Sequence, residues 1–311
     1  MSLRFTVLAS GSAGNASVVG VEGFGVLLDA GLGPRQLAER FTAADLSWQD
    51  VHALLLTHTH SDHWNDRTLA HFHRRRLPVY CHPEHHAVLQ RFSSAFGDLL
   101  AANLVRPYEA GVTLALAPGL RCTPLPLRHD GGATFGFRLE GRADLFGEAT
   151  SLAYLADLGC WDAALAQAIR DVDLLALEFN HDVEMEYASG RQPTLIARVL
   201  GDEGHLSNAQ AAALLREVLG LSAPGRLRHV VQLHLSRDCN HPTLAAAAAQ
   251  KVLATIPRPF EVHTARQDEP GPTVQLGSAG HARRRRYPGG GRRPSLKASA
   301  FQPLLPGIED E

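Results

Sequence analysis

Ala53-Leu-Leu-Leu-Thr-His58-Thr-His60-Ser-Asp62-His63 is the stretch that decides how this chain of 311 residues is read. Its first half is a short, unbroken apolar run, the pattern of a strand covered on both faces. Its second half packs three histidines and an aspartate into six residues. Such groups buried without partners cost several kcal/mol, and coordination of a metal removes that cost. His58 and His60 are two apart, so on an extended backbone their rings project to one side, while Asp62 and His63 can turn toward a second ion. The competing reading is a surface histidine-rich loop. That reading suits His71, His73, His85 and His86, which sit on helix-like stretches with no acidic partner at matching spacing.

Outward from this loop, residues 4–9, 17–21 and 24–29 form β-rich runs separated by small residues, a strand meander. Gly33-Pro34 opens a helix through Phe41, and His82-Pro83 opens another to about Phe96. Later strand patterns fall at 125–129, 135–139, 152–157, 174–178, 230–235 and 261–264, with helices near 161–170, 208–219 and 243–254. Strands first in meander and then alternating with helices predict two sheets with helices outside, an α/β (α+β) fold. Ser207-Asn-Ala-Gln210 is a capping box, so His205 lies in the loop that feeds a helix. Ser10-Gly-Ser-Ala-Gly-Asn15 leads into a further β-run and not into a helix, which excludes a phosphate-binding glycine loop and leaves a tight turn. From residue 268 onward Pro, Gly, Ser and Arg dominate, including Arg283-Arg-Arg-Arg286 and Gly289-Gly-Gly291. Residues 1–267 are therefore expected to form one hydrolase domain and 268–311 a disordered basic tail.

With 45% hydrophobic residues the chain can bury a substantial core, about three quarters of its unfolded surface. A net charge of −2 excludes recognition of nucleic acid by overall basicity and leaves only local patches. Cys81, Cys122, Cys160 and Cys239 form no C-x-x-C pair, which points to free thiols in a reducing compartment. No apolar run suits a signal peptide or a membrane span, so a cytoplasmic protein without membrane contact is expected. The composition sets no oligomeric state.

H-x-H-x-D-H after an apolar strand resembles the defining motif of the metallo-β-lactamase superfamily, and Leu28-Asp29-Ala30-Gly31 resembles the aspartate turn that supports it. The resemblance implies a four-layer αββα fold with two divalent ions, Zn or Mn being favoured. His58, His60 and His129 would hold one ion and Asp62, His63 and His234 the other. Asp157 would bridge them, and Asp29 would act behind the ligands. Read singly, His129-Asp130 is also a turn pair, Asp157-Leu-Gly a strand-ending turn and His234 a core histidine. Ser10–Asn15, Glu178-Phe-Asn-His-Asp182, Gly204-His-Leu-Ser-Asn208 and His234-Leu-Ser-Arg-Asp-Cys-Asn240 are similar to the YycJ (WalJ, VicX) group of phosphodiesterases and nucleases. A further likeness to the tRNase Z branch implies that His205 protonates the leaving oxygen and that Glu178 orients it.

The function these resemblances imply is phosphodiester hydrolysis by a metal-bridging hydroxide. The enzyme would be a 5′-to-3′ DNA exonuclease linked to repair, with Asp62, Asp157, Glu178 and His205 carrying the chemistry. DNA is favoured over RNA, and Arg128, Arg198 and Arg237 supply candidate phosphate contacts. The rivals are a ribonuclease, a small-molecule hydrolase acting on a thioester, lactone or cyclic phosphodiester, and a non-catalytic regulatory protein. The complete set of expected ligands argues against the last.

Overall fold

Leu54 and Leu55 face opposite sides of one strand, and both are fully buried. In the computed structural model, which describes residues 2–143 and 149–277, Leu55 packs into a core shared with Phe137, Tyr154 and Leu174. Leu54 packs the other way, with Phe41, Phe72 and Phe96. The apolar run of the sequence is thus a strand between two apolar layers, which is why it lacks alternation.

The first sheet begins as an antiparallel meander of β1 (Leu3–Ala9), β2 (Ala16–Val21) and β3 (Phe24–Leu28). It continues in parallel through β4 (Ala53–Leu55), β5 (Val79–Cys81) and β6 (Val105–Pro107). The second repeats the scheme: β7 (Leu114–Ala117), β8 (Leu120–Leu127), β9 (Thr134–Gly141) and β10 (Ser151–Leu155) are antiparallel. There β11 (Leu174–Glu178), β12 (His229–Leu233) and β13 (Glu261–Thr264) follow in parallel. Apolar side chains of both sheets interdigitate between them. On the outer face of the first sheet lie α1 (Pro34–Ala43), α2 (Asp66–Arg75), α3 (His85–Phe92) and α4 (Ser94–Ala101). On that of the second lie α5 (Ala163–Ala168), α8 (Asn208–Leu221) and α9 (Pro242–Leu253). The layers run helix, sheet, sheet, helix, the αββα fold expected.

Register brings the chemistry to one end. Leu28 pairs with Leu55, so Asp29 and Thr57 leave the first sheet together. Leu155 pairs with Leu177 and Glu178 with Leu233, so Asp157, Glu178 and His234 leave the second sheet together. Loops beyond the carboxyl ends of parallel strands are where such folds build their sites. Between β11 and α8 the chain adds α6 (Val183–Ala188) and α7 (Pro193–Leu200), a pair the sequence reading did not anticipate.

Two expectations need correction. The helix opened at His82-Pro83 is two helices: the Ser93 hydroxyl accepts from Phe96 N–H (3.0 Å) and donates to Asp66 (2.5 Å), ending α3 and starting α4. The domain also extends past residue 267. Val274–Leu276 form β14, which pairs antiparallel with β1 and buries Val274 and Leu276 in the inter-sheet core. The rest of the expected tail, from residue 278, lies outside the described residues. Among the described residues no helix is long and apolar enough to cross a membrane, and all four cysteines are free.

Candidate metal centre and active site

The loop after β4 is shaped by Asp29. This residue adopts the left-handed conformation (φ 59°) at the end of β3 and is fully buried. Its carboxylate accepts from Thr57 N–H (2.8 Å) and Thr57 Oγ1 (3.0 Å) and from His63 Nδ1 (2.8 Å). Ala30 N–H donates to His63 C=O (2.8 Å). Gly31 is required by close approach, since a Cβ there would lie 1.8 Å from the Asp62 carbonyl oxygen. A short turn is thereby held against β3, with His63 Nε2 left to face the site.

All seven expected ligands converge. His58, His60 and His129 form one cluster and Asp62, His63 and His234 another, with donor atoms within 4.8 Å of one another in each. Asp157 reaches both sides: it clusters with His58 and His63, and again with His234, His205 and Glu178. His63, His129 and His234 are held from behind, as is usual for ligand histidines. His129 Nδ1 donates to Gly204 C=O (2.8 Å), and His60 Nε2 lies 3.5 Å from Asp130 Oδ1. His234 is left-handed (φ 53°), an uncommon state for a non-glycine residue, of the kind that clusters at functional sites. It is held there because its N–H donates to Ser10 Oγ (2.8 Å) and its C=O accepts from Asn180 Nδ2 (2.9 Å).

Three atoms test whether this set fits a metal. His58 Nε2 and both Asp157 carboxylate oxygens are buried, yet none has a hydrogen-bond partner. Asp157 Oδ2 is 2.6 Å from His63 Nε2 and Oδ1 is 2.7 Å from His234 Nδ1, close but not aligned as hydrogen bonds. Buried orphan acceptors are rare and costly, and a divalent cation among imidazole and carboxylate donors satisfies them. The donor set fits.

Electrostatics of the metal-free site agree. Burial alone raises the Asp157 carboxyl, but His234 and His63 outweigh it and hold the carboxyl well below the usual range. Burial and then neighbouring His63 drive His58 well below the usual imidazole range, so it presents a lone pair. Burial pulls His205 down, yet Glu178 and Asp157 prevail and push it up to about 9. Glu178 is the hub: Oε1 accepts from His205 Nδ1 (2.7 Å) and His234 Nδ1 (3.0 Å), and Oε2 accepts from Leu158 and Leu206 N–H.

The sequence reading missed several residues at the site. In the sequence Asn15 reads only as part of a turn. Its amide, oriented by Gly11 N–H on Oδ1 (2.9 Å), directs Nδ2 at His63 Nε2 (2.9 Å) and Asp62 Oδ2 (3.2 Å). The Ser10–Asn15 loop is itself clamped by the segment after β13: Ser10 N–H donates to Arg266 C=O, and the Gln267 amide bonds Ala13 N–H and Gly14 C=O. Asn180 and Asp130 were likewise unassigned, though both sit beside residues already marked, the one signal that could have found them. Each arginine offered as a phosphate contact is paired with an acid: Arg128 with Asp202, Arg198 with Asp130 and Arg237 with Asp268. The helical histidines stay away from the centre. His85, for example, is buried and donates to Ala133 C=O (2.7 Å).

Residues 25–223 match the family described as the β-lactamase superfamily domain. Exodeoxyribonuclease YycJ of Bacillus anthracis is 30% identical over 280 residues, 85% of this chain and 95% of that protein. Exodeoxyribonuclease WalJ of Streptococcus pneumoniae (strain D39) is 25% identical over 282 residues, 89% of this chain and 99% of that protein. Among solved structures, the metallo-β-lactamase fold protein YhfI of Bacillus subtilis superposes with a TM-score of 0.61 at 17% identity, covering 89% of this chain and all (100%) of that one. Zinc-bound PqqB of Methylobacterium extorquens gives 0.61 at 18% identity, covering 88% and 100%. At such identities the two structures speak for the fold alone. The chain, with its H-x-H-x-D-H loop, the downstream His129, Asp157 and His234 that converge on it, and its two back-to-back sheets, belongs to the metallo-β-lactamase superfamily, close to its YycJ and WalJ members.

Proposed function

We propose that this metal-dependent hydrolase cleaves the phosphodiester bonds of DNA, working from the 5′ end as an exonuclease in repair. The observation that carries the reading is the Glu178–His205 pair set against Asp157. It adds a proton donor to a site that a generic water-activating centre would not need. The relatives named exodeoxyribonuclease, aligned over most of both chains, supply the choice of DNA.

His58, His60 and His129 would hold one ion, Zn or Mn, and Asp62, His63 and His234 a second, with Asp157 shared. When bound, the ions supply Lewis acidity toward the phosphate oxygens and lower the pKa of a water to near neutral. His205 uses Nδ1 on Glu178 and keeps Nε2–H as the proton to give to the departing sugar oxygen. The Glu178 carboxylate on Nδ1 favours the imidazolium form, which carries that Nε2 proton. Glu178 fixes the ring through Oε1 while two backbone N–H groups hold Oε2, so the pair is oriented before substrate arrives. Asn15 Nδ2 steadies the Asp62 carboxylate from the opposite wall.

End-labelled single- and double-stranded DNA and RNA, incubated with protein loaded with Mn²⁺, Zn²⁺ or Mg²⁺, test this. Stepwise release of nucleotides from the 5′ end of DNA is expected, and no cleavage with any metal refutes it. A second reading, hydrolysis of a small substrate, is favoured by the pairing of Arg128 and Arg237 with carboxylates. It predicts turnover independent of salt, whereas DNA binding weakens steeply as salt rises.

A further inference from the structure

Asp130 follows a candidate ligand, yet its carboxylate serves two masters. Oδ1 lies 3.5 Å from His60 Nε2, on the far side of the ring from Nδ1, which faces His129 Nε2 at 3.2 Å. Oδ2 accepts from Arg198 Nε. The loop is pinned as well, because Asp130 N–H donates to Glu203 C=O (2.9 Å). Arg198 lies in the last turn of α7, and the next residue holds the acid-bearing loop: His205 N–H donates to Val199 C=O (2.9 Å). A Cβ on Gly204 would meet the Arg198 carbonyl oxygen at 2.2 Å, so Gly204 lets α7 close onto that loop. Arg198 therefore stands at the rim between the His60 side of the centre and the His205 side.

Its pairing with Asp130 does not use it up. Only Nε is engaged, while the side chain is 55% exposed and both terminal amino groups lack a partner among the described residues. A guanidinium held by Nε presents those groups as a fixed fork, the geometry that suits a phosphate. Anchored this way, it loses less freedom on binding than an arginine free in solvent.

We propose that Arg198 is a specificity-determining residue that grips a non-scissile phosphate next to the cleaved bond, and that Asp130 positions both Arg198 and the His60 ring with one carboxylate. This rests on the nucleic-acid reading above. It makes Asp130 the physical link between substrate grip and metal grip, two properties that separate residues would leave independent.

Arg198→Gln, Asp130→Ala and Asp130→Asn are compared with Arg121→Gln, a charge control on β8 away from the centre, in three measurements on the metal-loaded protein. The first is KM and kcat on DNA. The second is DNA affinity against salt, and the third is metal affinity by chelator competition. Arg198→Gln is expected to raise KM about tenfold, to lower kcat less than threefold, and to reduce the salt slope by about one. Asp130→Ala is expected to show the same loss on DNA and also to weaken one metal by about 10–100-fold. Asp130→Asn, which keeps one acceptor and guards against misfolding of the alanine variant, falls between. An unchanged KM and salt slope in Arg198→Gln overturns the grip, and wild-type metal affinity in both Asp130 variants overturns the shared carboxylate. If wild-type protein cleaves no DNA, the proposed function fails and takes the grip with it. If wild type and Arg198→Gln cleave alike, only the grip fails.

Discussion

Gly131 and Gly132 stand side by side after His129, and alanine at the two positions should fail in different ways. At Gly131 a Cβ would lie 2.4 Å from His58 Cδ2 and 3.2 Å from His58 Cγ and Thr134 Oγ1. Carbon atoms rest at about 3.5–4.0 Å, so the His58 ring must retreat by roughly 1 Å. It has nowhere to go, being fully buried, with Thr57 Oγ1 2.9 Å from Nδ1 and the His63 ring centre 4.1 Å away. A metal–imidazole bond tolerates displacements of only ~0.2 Å. Gly131→Ala should therefore weaken metal binding about 10–100-fold and cut kcat/KM by about 10², with an overpacking cost of about 1–3 kcal/mol in the metal-free protein. At Gly132 the backbone is left-handed (φ +77°) and a Cβ meets nothing within 4 Å. Gly132→Ala should cost a similar ~1–2 kcal/mol through backbone strain and leave the metals in place. Chelator competition and urea melts of the metal-free proteins separate the two. Equal metal affinity in the paired variants would refute the claim that His58 is a ligand held without slack.

His205→Ala should retain both ions while kcat falls about 10²–10⁴-fold, whereas Asp157→Ala should lose metal and activity together; metal content by mass spectrometry beside the cleavage assay decides it. A chain cut after residue 267 should melt well below the full chain, because Val274 and Leu276 are both buried and such side chains contribute about 1.5–3 kcal/mol each; a coincident melt removes β14 from the core. Burial pushes His85 down to about 4, so the unfolded chain, near 6.5, takes up the proton first as pH falls. Stability is complete above about 6.5 and should decline by roughly 3 kcal/mol by pH 4. His85→Gln should flatten that limb in urea melts of metal-free protein, and an unaltered limb would exclude His85 as its source.

Much of the site was legible because its chemistry is written in short local strings. The His58–His63 loop carries four functional groups in six residues, and His129, Asp157 and His234 each follow an apolar run. What stayed hidden depends on closure between distant segments. Asn15 looks like any turn asparagine until Gly11 fixes its amide and β2 carries it to His63. Asp130 gains a meaning only when α7 brings Arg198 to it. Val274-Gln-Leu276 is too short and too near the Pro- and Gly-rich segment to show a period, and only the open edge of β1 makes it a strand. The break at Ser93 came from a hydroxyl that competes for backbone partners, which hydrophobic spacing does not register.

The clamp of Arg266 and Gln267 on the Ser10–Asn15 loop has a consequence for synthesis. On a ribosome the first strand, the turn and the histidine loop emerge long before residues 266 and 267 do. Until then Ala13 N–H and Gly14 C=O lack the Gln267 amide, Ser10 N–H lacks its acceptor, and β1 shows a bare edge. Ser10 is also the residue that holds the backbone of His234. A nascent chain therefore possesses every proposed metal-binding side chain before it possesses the cradle that sets their geometry, and residues 266–276 act as a completion latch. Hydrolytic competence waits until residues 266–276 have emerged and β14 covers the edge of β1.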